Sequence, residues 1–135
     1  MKAIITDLDR TLLHTDKSLS EYTAKVLHEC RAQGIYVMAA TARPMRSMRA
    51  YHDRIGFDAI TAMNGAIVSL PNRVMEFGIS RESGRRIVDK LLCHPDVLLS
   101  IETSEGFYAN RDIPEWQPIV YDGFPDLPED IILYK

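Results

Sequence analysis

The sequence predicts an α/β protein built on a parallel sheet. Two observations carry this. Short apolar runs alternate with stretches of helical periodicity, at the spacing of strand–helix–strand units. The first run, Ala3-Ile4-Ile5, leads into two carboxylates one residue apart, Asp7 and Asp9. Acids at the carboxyl end of a strand fall where ligands bind in open α/β sheets.

In chain order, the run from Ala3 reads as a buried strand of a parallel sheet. Leu12 to Lys17 should form a loop or small hairpin. Ser20 is the expected N-cap of a helix from Glu21 to Gln33. Tyr22, Val26, Leu27 and Cys30 are its apolar positions, and Gly34 suits the position after its end. Ile35 to Ala40 reads as a second buried strand, so the two strands should pair in parallel through a right-handed crossover. Pro44 fits the first turn of a second helix reaching Ile55, with Gly56 beyond it. Phe57 to Ala62 gives a third strand, and Asn64-Gly65 a tight turn that favours positive φ. Ile67–Leu70 and Val74–Phe77 flank Pro71-Asn72-Arg73 as a hairpin, which is expected to mark the exit from the core. Ser80 can cap a helix through His94 with the stripe Ile87, Val88, Leu91 and Leu92. Gly84 weakens that helix by up to about 1 kcal/mol against alanine. Strands are expected at Val97–Thr103 and Phe107–Asn110 around Glu105-Gly106. A connection rich in proline (Pro114, Pro118, Pro125, Pro128) and a strand at Ile131–Tyr134 complete the chain.

With 46% hydrophobic and 26% charged residues in a chain of 135, a core of one domain or two small lobes can form. The net charge of −3 gives no electrostatic case for a nucleic acid or an anionic membrane. No apolar run approaches the ~18 residues of a membrane span. The N-terminus lacks a signal-peptide layout. Cys30 and Cys93 fall in expected helices, which suggests buried free thiols in a reducing cytoplasm. No internal repeat is visible.

Side chains at i and i+2 of an extended segment share one side, so Asp7 and Asp9 can address one small volume. Two such charges repel unless a cation neutralises them, and a hard divalent ion with oxygen ligands is the natural one. One carboxylate could then bind metal and attack phosphorus, while the other moves protons. An Asp-rich turn after a strand is the plainer alternative. Thr41-Ala42-Arg43-Pro44 closes the second strand. A hydroxyl just before a helix N-terminus suits a phosphate, though Thr41 could equally be only an N-cap. Arg43 could hold an anion or be a solvated charge.

Asp7-Leu8-Asp9-Arg10-Thr11-Leu12-Leu13 resembles the first motif of the haloacid dehalogenase (HAD) superfamily, Asp-x-Asp-Gly-Thr-Leu. More narrowly, the chain resembles the Cof-type sugar-phosphatase branch. The resemblance implies a partial Rossmann-like core of three parallel strands with helices over residues 1–66. An incomplete α/β cap domain would follow over residues 67–135. It further implies a magnesium-dependent phosphatase of small phosphorylated metabolites such as sugar phosphates, working through an aspartyl-phosphate. Asp7 would be the nucleophile and Asp9 the acid and base, with both assigned to Mg2+. Thr41 resembles the family's second motif and would bind the phosphoryl group, with Ala42 in place of the usual Gly and Arg43 beside it. Thr11 and Asn64 are further substrate-binding candidates; the family commonly has Asn-Gly after its third strand.

Several features depart from that pattern. The family's later Lys and its Gly-Asp-x-x-Asn-Asp pair cannot be placed. Lys2, Lys17, Lys25 and Lys90 stand in the wrong context, and Asp126-Leu127-Pro128-Glu129-Asp130 lacks the glycine and asparagine. Arg10 replaces the motif's Gly, at a cost of roughly 1–2 kcal/mol if φ is positive there. The resemblance spans about half the family's usual length. The chain is therefore expected to lack the C-terminal part of the core and to expose the edge of its first strand. Self-association through that edge is expected. The alternative to an enzyme is an inactive truncated relative, or a metal- and phosphate-binding module completed by another polypeptide. His14, Trp116 and Tyr121 are assigned no chemistry.

Overall fold

A computed structural model describes residues 1–102, 107–109 and 132–133. The chain divides into two compact units, Met1–Gly78 and Ile79–Lys135.

The first unit is an open sheet with helices. Its strands are β1 (Lys2–Thr6), β2 (Ile35–Ala40), β3 (Ala59–Ala62), β4 (Ile67–Leu70) and β5 (Arg73–Glu76), in that spatial order. β1, β2 and β3 are parallel, as expected of two successive crossovers. The hairpin β4–β5 does not leave the core as expected. It continues the sheet, β4 pairing antiparallel with β3 through Ile60↔Ser69, Thr61↔Val68 and Ala62↔Ile67. The reason is local: Ile67 is buried and completes the core, so the unit ends after residue 78 rather than after 66.

β1 exists where expected but is not a buried strand. Ile5 is 67% exposed, and among the described residues β1 pairs only with β2. Helix α1 (Glu21–Ala32) is capped as its sequence requires, the Ser20 hydroxyl accepting from Thr23 N–H at 3.0 Å. Ala24 and Leu27 face the core, whereas Tyr22, expected in the stripe, is 78% exposed. It lies off the face that Ala24 and Leu27 define at i, i+3 spacing.

The second helix is shorter than expected. Pro44 is extended (ψ 154°), a tight turn covers Met45–Met48, and helix α2 spans Arg49–Ile55. Ser47 donates both its N–H (3.1 Å) and its hydroxyl (2.9 Å) to the Pro44 C=O, an i, i+3 closure that makes this first turn tighter than an α-helix. Gly56 ends α2 at φ +70°, where a Cβ would also come within 2.5 Å of the Arg31 guanidinium. That guanidinium forks onto Asp58 (Nη2–Oδ1 2.8 Å), and Asp58 accepts from Val37 N–H at 2.8 Å. α1, β2 and the approach to β3 are thereby clamped at the edge of the core. Leu8, Val37, Met48 and Ile55 are its fully buried large side chains.

In the second unit, helix α3 (Arg81–Leu92) is capped by Ser80, which accepts from Ser83 N–H at 3.2 Å. Strands β6 (Ser100–Glu102), β7 (Phe107–Ala109) and β8 (Ile132–Leu133) form a separate sheet in that order. Cys93 follows α3 and is exposed, contrary to the expected burial, while Cys30 is half-buried in α1; both are free thiols. The Glu105-Gly106 turn, the proline-rich connection, Trp116 and Tyr121 lie outside the described residues.

Candidate active site

The site grows from what happens at the end of β1. The chain stays extended at Asp7 (φ −76°, ψ 163°), then makes one wide turn over Leu8–Leu12, closed by Leu13 N–H on Leu8 C=O at 2.9 Å. Leu8 is driven fully into the core, so the acids on either side of it stay near the surface. Asp7 is exposed, and Asp9 keeps 37% of its side-chain surface. The turn requires a left-handed residue at Arg10 (φ 60°), the position where the family motif carries glycine.

The two carboxylates have different surroundings. Among the described residues, only the Thr11 hydroxyl reaches the Asp7 carboxylate, at 3.4 Å. Asp9 is held from two sides. Arg43 forks onto it, Nε to Oδ2 at 2.8 Å and Nη2 to Oδ1 at 2.7 Å, and Lys17 Nζ meets Oδ1 at 2.8 Å. The Arg43 hydrogen bonds, with Lys17 second, hold the Asp9 carboxyl far below the usual carboxylate range, against the opposing pull of partial burial. Asp9 is thus an ionised, oriented group.

Arg43 is not a solvated charge. Its side chain is 8% exposed and its guanidinium lies 5.5 Å from the centre of the Tyr51 ring. Through it the loops after all three parallel strands are tied together. Arg43 N–H donates to the Thr41 hydroxyl (3.2 Å), and Met63 N–H donates to Arg43 C=O (2.9 Å). Thr41 N–H donates to Thr61 C=O (2.9 Å), and Asn64 N–H to Thr41 C=O (3.2 Å). Thr41 is buried, with its hydroxyl proton still available for donation. It does not stand at a helix N-terminus, since α2 begins only at Arg49. The helix-dipole reason for placing phosphate there therefore falls, and any anion binding rests on the hydroxyl and the loop. Ala42 is exposed beside it. Asn64 is exposed in the expected positive-φ turn (φ 54°), following Met63 at φ 52°.

The residues at hand fit a magnesium ion only in part. The exposed Asp7 carboxylate, facing no cation among the described residues, is a suitable hard ligand. The Asp9 carboxylate is not, because both its oxygens already face cations. Among the described residues there is no cluster of three or more His, Cys, Asp or Glu that would hold a metal.

Sequence reasoning missed Lys17 and the buried role of Arg43. Neither lies in a spacing pattern with Asp9; both reach it by loop folding. The one available signal for Arg43 was its place before a proline, which biases that residue away from helical geometry and so into a loop.

A family model for haloacid dehalogenase-like hydrolase matches residues 4–130. YxeH of Bacillus subtilis strain 168, which carries a provisional phosphatase name, is 25% identical over 150 aligned positions. The match covers 99% of this chain and 56% of YxeH. YitU of the same strain, named a 5-amino-6-(5-phospho-D-ribitylamino)uracil phosphatase, is 39% identical over 69 residues, covering 50% of this chain and 26% of YitU. A crystal structure from Geobacillus kaustophilus HTA426 superposes with a TM-score of 0.78 at 23% identity, over 94% of this chain and 51% of that one. The chain spans about half the length of the curated relatives it matches.

The left-handed backbone at Arg10 makes a direct prediction. Arg10→Gly should stabilise the chain by about 1 kcal/mol, the strain removed less the added freedom of the unfolded glycine. Urea unfolding of both proteins at neutral pH measures it, and an unchanged or lowered midpoint would show that Arg10 bears no strain.

Proposed function

Because the chain belongs to the haloacid dehalogenase-like hydrolases, we propose that it carries the nucleophile and phosphoryl-binding loops of a magnesium-dependent phosphatase. Its substrates would be small phosphorylated metabolites such as sugar phosphates. The observation that carries this reading is the contrast between the two acids: Asp7 exposed and unpaired with any cation among the described residues, Asp9 ionised and oriented. The phosphatase names of YxeH and YitU support the reaction class, and YitU's name a small phosphorylated substrate.

In this reading an Asp7 carboxylate oxygen bonds to phosphorus as the ester P–O bond breaks, and the leaving oxygen takes its proton from a protonated Asp9. Water then attacks the phosphorus of the aspartyl-phosphate, the bond to Asp7 breaks, and inorganic phosphate leaves. Asp9, two residues on, takes the proton of that water, a task for which its ionised form is ready. Giving a proton to the leaving group requires Asp9 to gain one first, which Arg43 and Lys17 oppose. Thr41 and Asn64 would contact the phosphoryl group or substrate, and Thr11 would orient Asp7. Bound Mg2+, held by Asp7, would neutralise charge on the phosphoryl oxygens.

The double cation hold on Asp9 favours a second reading, in which the chain binds phosphate and turns it over only when another polypeptide completes the site. Uncatalysed phosphate-monoester hydrolysis is so slow that useful rates need more than roughly 20 kcal/mol of barrier reduction. An incomplete charge constellation would forfeit much of it.

Two outcomes are expected. The chain with MgCl2 should release phosphate from an aryl phosphate, and Asp7→Asn should lose at least about three orders of magnitude of that rate. Phosphate binding without release would favour the second reading, while release that survives Asp7→Asn would contradict the first. We also propose self-association through the β1 edge, since Ile5 is 67% exposed there. Gel filtration should show a dimer or larger species growing with concentration, and a monomer throughout the series would contradict it.

A further inference from the structure

We propose that Lys17 is a phosphoryl-binding residue, sharing or exchanging its contact with Asp9 for an oxygen of the incoming phosphoryl group. The inference rests on the phosphatase reading above and adds a residue that no motif assigns. It begins with which cations can serve an incoming anion. Arg43 is committed, since its side chain is 8% exposed and two of its nitrogens are bound to Asp9 as a fork. Lys17 is not committed in this way. It makes one point contact to Asp9, its side chain is 34% exposed, and an ammonium carries three donors on a flexible stem. One donor can stay with Asp9 while another takes a phosphoryl oxygen.

The charge tally points the same way. Arg43 alone balances the charge of Asp9, so the second cation on that carboxylate, Lys17, is in excess of what Asp9 needs. A phosphate monoester approaching Asp7 brings further negative charge, and a cation held on Asp9, two residues along the same turn, lowers that repulsion. The unit Met1–Gly78 holds three lysines. Lys2 begins β1, at the far end of the sheet from the site, and Lys25 lies on α1 beside Glu29. Lys17 alone among them reaches Asp9.

The backbone that presents Lys17 is held firmly in a left-handed conformation, φ 67°. Its N–H donates to His14 C=O at 3.0 Å, and its C=O accepts from the Tyr51 hydroxyl at 3.0 Å. Asp16 accepts from Ser18 N–H at 3.0 Å and from the Ser18 hydroxyl at 2.6 Å, fixing the other side of the turn. Tyr51 thus positions both cations, its ring against Arg43 and its hydroxyl on the Lys17 carbonyl. A fixed backbone with a mobile side-chain tip suits an anion clamp, and a lysine retained only as Asp9's partner would need no such strained turn.

The test is calorimetric binding of inorganic phosphate to the chain in MgCl2. Lys17→Met should weaken phosphate binding about tenfold or more, Lys17→Arg should stay within about threefold, and Lys25→Met should match the wild type. Lys17→Gln, which keeps an amide donor for Asp9, should lose binding as Lys17→Met does and covers the case in which Lys17→Met fails to fold. Equal phosphate affinity for wild type and folded Lys17→Met or Lys17→Gln overturns the assignment, as does an equal loss in Lys25→Met. A wild-type chain that neither binds phosphate nor releases it from an aryl phosphate removes the phosphatase reading as well. Retained binding in the variants removes only the role of Lys17.

Discussion

The interaction on which the site depends is the fork between Arg43 and Asp9. It is a bidentate guanidinium–carboxylate pair, the strongest of the ordinary charged hydrogen bonds, with the arginine almost fully buried. Its two partners come from different loops. Asp9 belongs to the turn after β1, and Arg43 to the loop after β2. Backbone bonds then carry the connection to the loop after β3, through Met63 and Asn64. One ion pair and a few peptide hydrogen bonds thus hold three loops at the carboxyl end of a parallel sheet, where open α/β folds place their ligands. Removing Asp9 would leave the buried Arg43 charge uncompensated, so the fork is costly to break from that side.

Backbone strain marks the same region. Among the described residues, the non-glycine residues with left-handed φ are Arg10, Lys17, Met63 and Asn64. All lie in the loops after β1 and β3, and none in a helix or strand of the sheet. Such residues persist where surrounding structure over-determines them. Here the wide turn closed by Leu13, the buried Leu8, the Tyr51 hydroxyl and the Arg43 carbonyl do so. The core holds the site by anchoring the residues beside the acids rather than the acids themselves.

Much of the fold was legible in the sequence, and for identifiable reasons. β2 matches its expected span, α1 ends one residue from its own, and Ser20, Ser80, Gly34 and Gly56 act as the caps and stops their types suggest. The positive φ at Arg10 and Asn64 could be anticipated from the motif glycine and from the Asn-Gly pair. Tertiary pairing was not legible. A hairpin reads alike whether it leaves a sheet or extends it, so β4–β5 was assigned to the wrong unit. An apolar run does not report whether it will be an edge: the run alone reads as buried, and the exposed edge of β1 was expected only from the family resemblance. In the site, Asp7, Asp9, Thr41 and Arg43 were all nominated, but local spacing treated the acids as equivalent. Their difference arises from Arg43 and Lys17, which are remote or unpatterned in sequence and converge only through loop folding.

The most direct test of this account is a double-mutant cycle on the fork. The unfolding free energies of wild type, Asp9→Asn, Arg43→Met and the double variant would be measured in urea at neutral pH. The account predicts a coupling energy of about 1–3 kcal/mol, with the double variant less damaged than the two single losses summed. Additivity within about 0.3 kcal/mol would contradict it, because the three loops would then be held by the backbone bonds without the ion pair.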